Sequence, residues 1–265
     1  MLYPSAWMDL SVPNLIVDNA NRFLTLSLSL IIVLCCAVLP GGPEVGKLVD
    51  LTYSDAELKY IDHPSNMKDD KVFIYSGLSD TTVYPLVVRS LQAYYSYFIA
   101  ANNIQTQYSI NSEHCIPTLN YGEACGAKGP PYLGNCNYDG AGAALKALYG
   151  TDVHVRATAQ DTSRLFSFAQ NTYVAASPSL SSLSDIGYVY IPSSCEDRRT
   201  VCSLHISFHG CEQTLNDIGT VYAVHAGFNE WAESNNIIVL YPYAIRSKLV
   251  PYNPNGYVCY LQYLP

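Results

Sequence analysis

The segment Gly77-Leu78-Ser79-Asp80-Thr81 is one glycine short of G-x-S-x-G, the sharp strand-to-helix turn that presents a serine nucleophile. Small residues must flank such a serine so that neighbouring backbone can pass close. Here Asp80 and Thr81 follow at once, then the β-branched Thr82 and Val83, and a helix is expected to open only at Pro85. Ser79 therefore reads as a bystander beside Asp80. Asp80 follows the apolar run Val72–Tyr75, and His114 follows the alternating run Ile104–Ile110, with a helical stretch from Pro85 to about Ala101 between them. A strand–helix–strand unit of this kind places both residues in loops beyond the carboxyl ends of parallel strands. There an acid orients an imidazole and stabilises its protonated form, while the imidazole acts as general base and then general acid. Taken singly, an Asp in a Ser/Thr-rich loop reads as a turn residue and a loop His as exposed surface. Their order and spacing are what point to acyl transfer.

A second constellation is Leu204-His205-Ile206-Ser207-Phe208-His209-Gly210-Cys211. Its H-x-x-x-H spacing invites a zinc reading, but the metalloprotease form needs a helix with Glu after the first His. This run is a strand and position 206 is Ile, so no metal is expected. A strand ending in His209-Gly210 instead resembles the oxyanion-hole loop of esterases, with the backbone N–H of Cys211 as donor. No cofactor is implied.

The elements that must position these residues alternate along the chain. After the Asp80–His114 unit comes a Gly-, Pro- and Asn-rich loop over 117–142, then a helix over Ala141–Tyr149 that stops at Gly150. Strands follow at Tyr188–Ile191, Leu204–Phe208 and Ile237–Tyr241, with a helix expected over Val221–Asn235. The fold class is α/β: one mostly parallel sheet with helices on both faces. No composition shift marks a boundary, so residues 30–265 read as a single domain, with 1–29 unassigned and not evidently native to it.

The composition excludes some functions. A net charge of −8 and a pI near 5.1 leave no basic stripe to displace phosphate counterions, so no nucleic-acid partner is expected. Nine cysteines without a C-x-x-C pair support neither a zinc ribbon nor a redox motif. Cys125/Cys136 and Cys195/Cys202 each bracket a short loop, as local disulfides do, which favours an oxidising, extracellular compartment. The odd count leaves one thiol over, Cys115 or either of Cys35 and Cys36. The uncharged run Phe23–Leu39 fits a signal segment or short anchor as well as it fits a buried strand. A membrane partner is expected only if that run is an anchor.

Several short motifs in order carry a family resemblance. They are Pro40-Gly41-Gly42-Pro43, Ser76-Gly77-x-x-Asp80-Thr81-Thr82-Val83, His114-x-x-Pro117-Thr118 and Asn135-Cys136-x-Tyr138-Asp139-Gly140-Ala141-Gly142. Leu148-Tyr149-Gly150, Tyr190-Ile191-Pro192, His205-x-x-Phe208-His209-Gly210-Cys211-x-Gln213 and Asn253-Pro254-x-Gly256 complete the set. Together they resemble the catalytic domain of poly(3-hydroxybutyrate) depolymerases in their circularly permuted α/β-hydrolase arrangement. The resemblance implies a secreted, monomeric serine-type esterase acting on short-chain polyester, with Asp80 and His114 in the triad. It also implies a Cys211–Cys259 bridge. The permuted order puts the serine elbow upstream of residue 40, yet no G-x-S-x-G occurs in the sequence and no Gly precedes Gly41. The nucleophile is therefore unknown. After Gly256 the family pattern runs on through further aromatic residues, so the sequence reads as cut short at its C-terminal side, as in a truncated gene model. The rival readings are a polymer-binding protein without catalysis and a small-ester or feruloyl-type esterase.

Overall fold

The computed structural model describes residues 5–8, 43–173, 182–196, 199–248 and 253–256. The run 23–39, Cys35, Cys36 and Cys259 lie outside the described residues, and with them the anchor and Cys211–Cys259 expectations. The chain divides into two compact units between His114 and Cys115.

The first unit contains β1 (Ser5–Met8), α1 (Val45–Glu57), β2 (Val72–Tyr75), α2 (Pro85–Tyr95) and β3 (Ile104–Gln107). Its sheet runs β1-β2-β3, with β2 antiparallel to β1 and parallel to β3. All four β2 residues, Val-Phe-Ile-Tyr, are buried, as a central strand covered on both faces requires. Proline opens α2 at its first turn, and Val88, Leu91, Tyr94 and Tyr95 form the single buried stripe of an amphipathic helix. This stripe packs with Leu48 and Val49 of α1 and with Val72 and Ile74 of β2 into one core. Tyr94 keeps its hydroxyl satisfied there by Thr52 Oγ1 at 2.7 Å, and burial pushes its pKa up to about 12. Helix α2 stops at Tyr95 rather than near Ala101. Ser96, its C-cap, turns its hydroxyl back onto the Gln92 carbonyl, the local competition that ends helices. Strand β3 likewise ends at Gln107 rather than Ile110. The Gln107 side chain accepts from both the N–H and the hydroxyl of Ser109 at 2.8 Å, which bends the chain out of the ladder.

The second unit contains β4 (Ile116–Thr118), β5 (Glu123–Ala124), β6 (Leu133–Asn135), α3 (Gly140–Tyr149), β7 (Leu165–Ala169), β8 (Ile186–Tyr190), β9 (Ser203–Ile206), α4 (Leu215–Ile218), α5 (Val221–His225), α6 (Phe228–Asn235) and β10 (Ile237–Tyr241). One small parallel sheet has the order β4-β6-β5, and a four-stranded sheet has the order β7-β8-β10-β9. In the larger sheet β9 and β10 are parallel, while β8 is antiparallel to both neighbours. The α/β class holds, but the described strands form three sheets rather than one.

The helices of this unit show why single residues matter. Asp139 caps α3 by accepting from the Gly142 N–H at 2.8 Å. Gly142 itself lies against Trp231, where an added Cβ would come within 2.6 Å of the indole. The helix expected over Val221–Asn235 is broken into α5 and α6, because Gly227 takes φ +94° between them.

Two cross-links and two buried histidines tie the unit together. Cys125–Cys136 joins the ends of β5 and β6, and Cys195–Cys202 closes the loop before β9. His205 on β9 is 3 % exposed and lies near Tyr149 and Phe228. His209, just beyond β9, is fully buried. Burial pushes both imidazoles down from 6.5 to about 4. Among the described residues no helix is long and apolar enough to cross a membrane.

Two outcomes follow from these features. Because the folded pKa values lie below the unfolded 6.5, the unfolded chain binds more protons between pH 6.5 and 4. Stability is thus whole above pH 6.5 and falls towards pH 4, by on the order of 3 kcal/mol per histidine. Urea midpoints measured from pH 7 to 4.5 check this, and His205→Phe, which keeps a ring in place, is expected to remove roughly half the slope. Separately, Cys→Ser replacement of either disulfide pair is expected to lower stability by about 2–5 kcal/mol, read as a fall in Tm against the parent under non-reducing conditions.

Candidate active site

Past the ends of β2 and β3 the two chains stay zipped together. The N–H groups of Ser76, Leu78 and Ser79 donate to the carbonyls of Gln107, Ile110 and Ser112 at 3.1, 2.9 and 3.1 Å. Gly77 is obligatory in this zipper, since a Cβ there would lie 2.3 Å from the Ser112 carbonyl oxygen. The pairing delivers Asp80 directly to His114: Oδ2 is 2.9 Å from the imidazole Nδ1. The other carboxylate oxygen, Oδ1, accepts from the N–H groups of Thr82 and Val83, both at 2.8 Å. Asp80 thus caps its own turn with one oxygen and holds the imidazole with the other. Its side chain is 7 % exposed and that of His114 20 %, so the ring remains accessible while the carboxylate is sheltered.

Two neighbours complete the picture. Ser79 is exposed, and its hydroxyl donates to Asn111 Oδ1 at 2.5 Å. Glu113, which carried no role in the sequence, is only 8 % exposed. It accepts from the Thr81 hydroxyl, from the Thr81 N–H at 3.3 Å and from the His114 N–H at 2.8 Å. The one sequence signal for it is an acid immediately before the loop histidine, with a hydroxyl residue immediately after the loop aspartate.

In the second unit the His209-Gly210-Cys211 loop is held by its own hydrogen bonds. His209 Nε2 accepts from the Ala244 N–H at 3.0 Å, which leaves Nδ1 protonated to donate to the Gly210 carbonyl at 2.8 Å. An imidazole so committed and so buried is neutral and structural. The Gly210 N–H donates to Gln213 Oε1 at 2.6 Å, and Gln213 Nε2 donates to the Pro131 carbonyl at 2.7 Å. Glu212, at φ +59°, donates its N–H to the Asn255 carbonyl at 2.8 Å and accepts from the Tyr132 hydroxyl. The Cys211 backbone is therefore fixed from both sides, and burial pushes its thiol pKa up. Among the described residues no group of three or more His, Cys, Asp or Glu is arranged to hold a metal ion.

Comparison with known proteins gives one consistent answer. No family model matches the chain. A poly(3-hydroxybutyrate) depolymerase of Delftia acidovorans is 36% identical over 209 residues, 78% of this chain and 41% of that protein. A polyhydroxybutyrate depolymerase of Talaromyces funiculosus is 39% identical over 184 residues, 68% of this chain and 53% of that protein. The chain thus spans about half the length of the curated relatives it matches. Among solved structures, a PHB depolymerase from Penicillium funiculosum superposes with a TM-score of 0.72 at 34% identity, covering 81% of this chain and 69% of that one. A PHB depolymerase variant with one serine replaced by alanine, complexed with an R3HB trimer, superposes with a TM-score of 0.73 at the same identity and coverage. The order of the motifs, the α/β fold and these relatives agree, and the chain belongs to the poly(3-hydroxybutyrate) depolymerase family.

Proposed function

We propose that this chain is the catalytic domain of an extracellular, monomeric carboxylic-ester hydrolase acting on poly(3-hydroxybutyrate) or a similar short-chain polyester. The observation that carries the reading is the Asp80–His114 bond in the loops that follow two parallel strands. With Nδ1–H donated to Asp80, His114 keeps the Nε2 lone pair for proton abstraction, and Asp80 stabilises the imidazolium that results. The Cys211 N–H is the proposed donor to the oxyanion of the tetrahedral intermediate, in keeping with a loop whose neighbours at 210 and 212 are both anchored. Binding of the R3HB trimer by a related depolymerase variant and the two disulfides support the substrate and the compartment.

The nucleophile has no counterpart in the sequence, which holds no G-x-S-x-G. The Ser79 hydroxyl is bonded to Asn111, and a residue adjacent to the acid is poorly placed to reach the far side of the same imidazole. This absence favours a second reading, a protein that binds the polymer without cleaving it. Loss of the nucleophile alone costs about a millionfold in kcat. The chain as written is therefore expected to turn over p-nitrophenyl butyrate only at that residual level, with Ser79→Ala leaving the rate unchanged, while films of poly(3-hydroxybutyrate) still retain it. Brisk turnover abolished by Ser79→Ala would make Ser79 the nucleophile. Failure to bind the film would remove the polyester from the reading.

A further inference from the structure

We propose that Glu113 is a positioning residue, its carboxylate clamping together the two loops that carry Asp80 and His114; the inference rests on the acid–base reading of that pair. Three successive amides ahead of α2 face carboxylates. The Thr81 N–H donates to Glu113, and those of Thr82 and Val83 donate to Asp80. Such a run of backbone N–H groups, here in the turn that precedes the helix, is an arrangement that favours anions. It lets two carboxylates sit side by side although Asp80 is only 7 % and Glu113 only 8 % exposed, a degree of burial that unpaired acids do not tolerate.

The connectivity is what makes Glu113 more than a buried acid. Its Oε2 receives the N–H of His114, the residue whose ring must face Asp80, and also the N–H of Thr81, the residue that follows Asp80. Its Oε1 receives the Thr81 hydroxyl. One carboxylate thus fixes the main chain next to both members of the pair, across 32 positions of sequence. The Asp80–His114 bond crosses between the same two loops, so freeing either loop changes its geometry. A glutamine is able to reproduce the arrangement, with its oxygen towards the two amides and its NH₂ towards a rotated Thr81 hydroxyl. A leucine of similar shape is not.

The test needs no nucleophile. The His114 Nδ1 proton, shared with a sheltered carboxylate, is expected as a slowly exchanging low-field proton resonance, assigned by its loss in His114→Gln. Glu113→Leu is expected to speed its exchange with water by at least about tenfold, the loss typical of hydrogen bonds to a charged group, and to speed exchange of the Thr81 amide with it. Glu113→Gln is expected to leave both near the parent value. A merely structural role would lower Tm in Glu113→Leu without moving the imidazole signal, and that outcome overturns the proposal. Should Glu113→Leu not fold, Thr81→Val decides, since it removes only the hydroxyl rung. Faster exchange of the His114 proton there supports the clamp, and unchanged exchange overturns it. Asp80→Asn runs as the control on the underlying reading. If the resonance survives that change, the Asp80–His114 pair is not the acid–base unit, whatever Glu113 does.

Discussion

The parallel pairing of β2 with β3 is the constraint on which the candidate site depends. Its register sets Tyr75 opposite Gln107, and the zipper beyond it carries that register to Asp80 and His114. A slip of one residue moves a strand by about 3.3 Å and turns every side chain to the other face. Either change exceeds the tolerance of a hydrogen bond. Backbone pairing alone does not prevent such slips; burial does. The stripe of α2 packs with Val72 and Ile74, so the apolar pattern of residues far from any polar chemistry decides whether the carboxylate meets the imidazole.

The turn reading and the functional reading of Asp80 prove compatible. A carboxylate has two oxygens, and the turn needs only one of them. Capping by Oδ1 fixes the side-chain torsion, and the fixed torsion aims Oδ2 at the ring. Residues that look interchangeable with ordinary turn formers in sequence acquire a directed second valence only when another loop is brought alongside.

What was legible in the sequence was what is local. The runs at Val72–Tyr75 and Ile237–Tyr241 are strands with those bounds, because short apolar β-branched runs carry their own signal. Both short disulfides could be read from loops closed by neighbouring cysteines. The break at Gly227 was visible as a glycine but was masked by the helical periodicity on either side of it. Strand β7, Leu-Phe-Ser-Phe-Ala, was missed; it is an edge strand, with residues exposed on both faces, and so lacks the clean alternation of a half-buried one. Glu113 was invisible for a different reason. Its partner Thr81 is 32 residues away, and an acid beside a loop histidine reads as solvated surface until the opposite loop is in place.

Comparing two histidines shows how the fold assigns roles to one residue type. His114 and His209 both sit in loops that follow strands, and both were marked in the sequence by motif. His209 is fully buried, with each ring nitrogen committed to a main-chain group, and burial holds its pKa near 4. It stays neutral near pH 7, with its one N–H held by the Gly210 carbonyl and its lone pair taken by the Ala244 N–H, so it serves to shape the Gly210–Cys211 turn. His114 keeps a fifth of its surface exposed and spends one nitrogen on a carboxylate. A base needs an open nitrogen and a partner that stabilises the charged ring. Exposure and hydrogen-bond inventory, rather than motif, therefore separate the partly open imidazole held by a carboxylate from the one that shapes its loop.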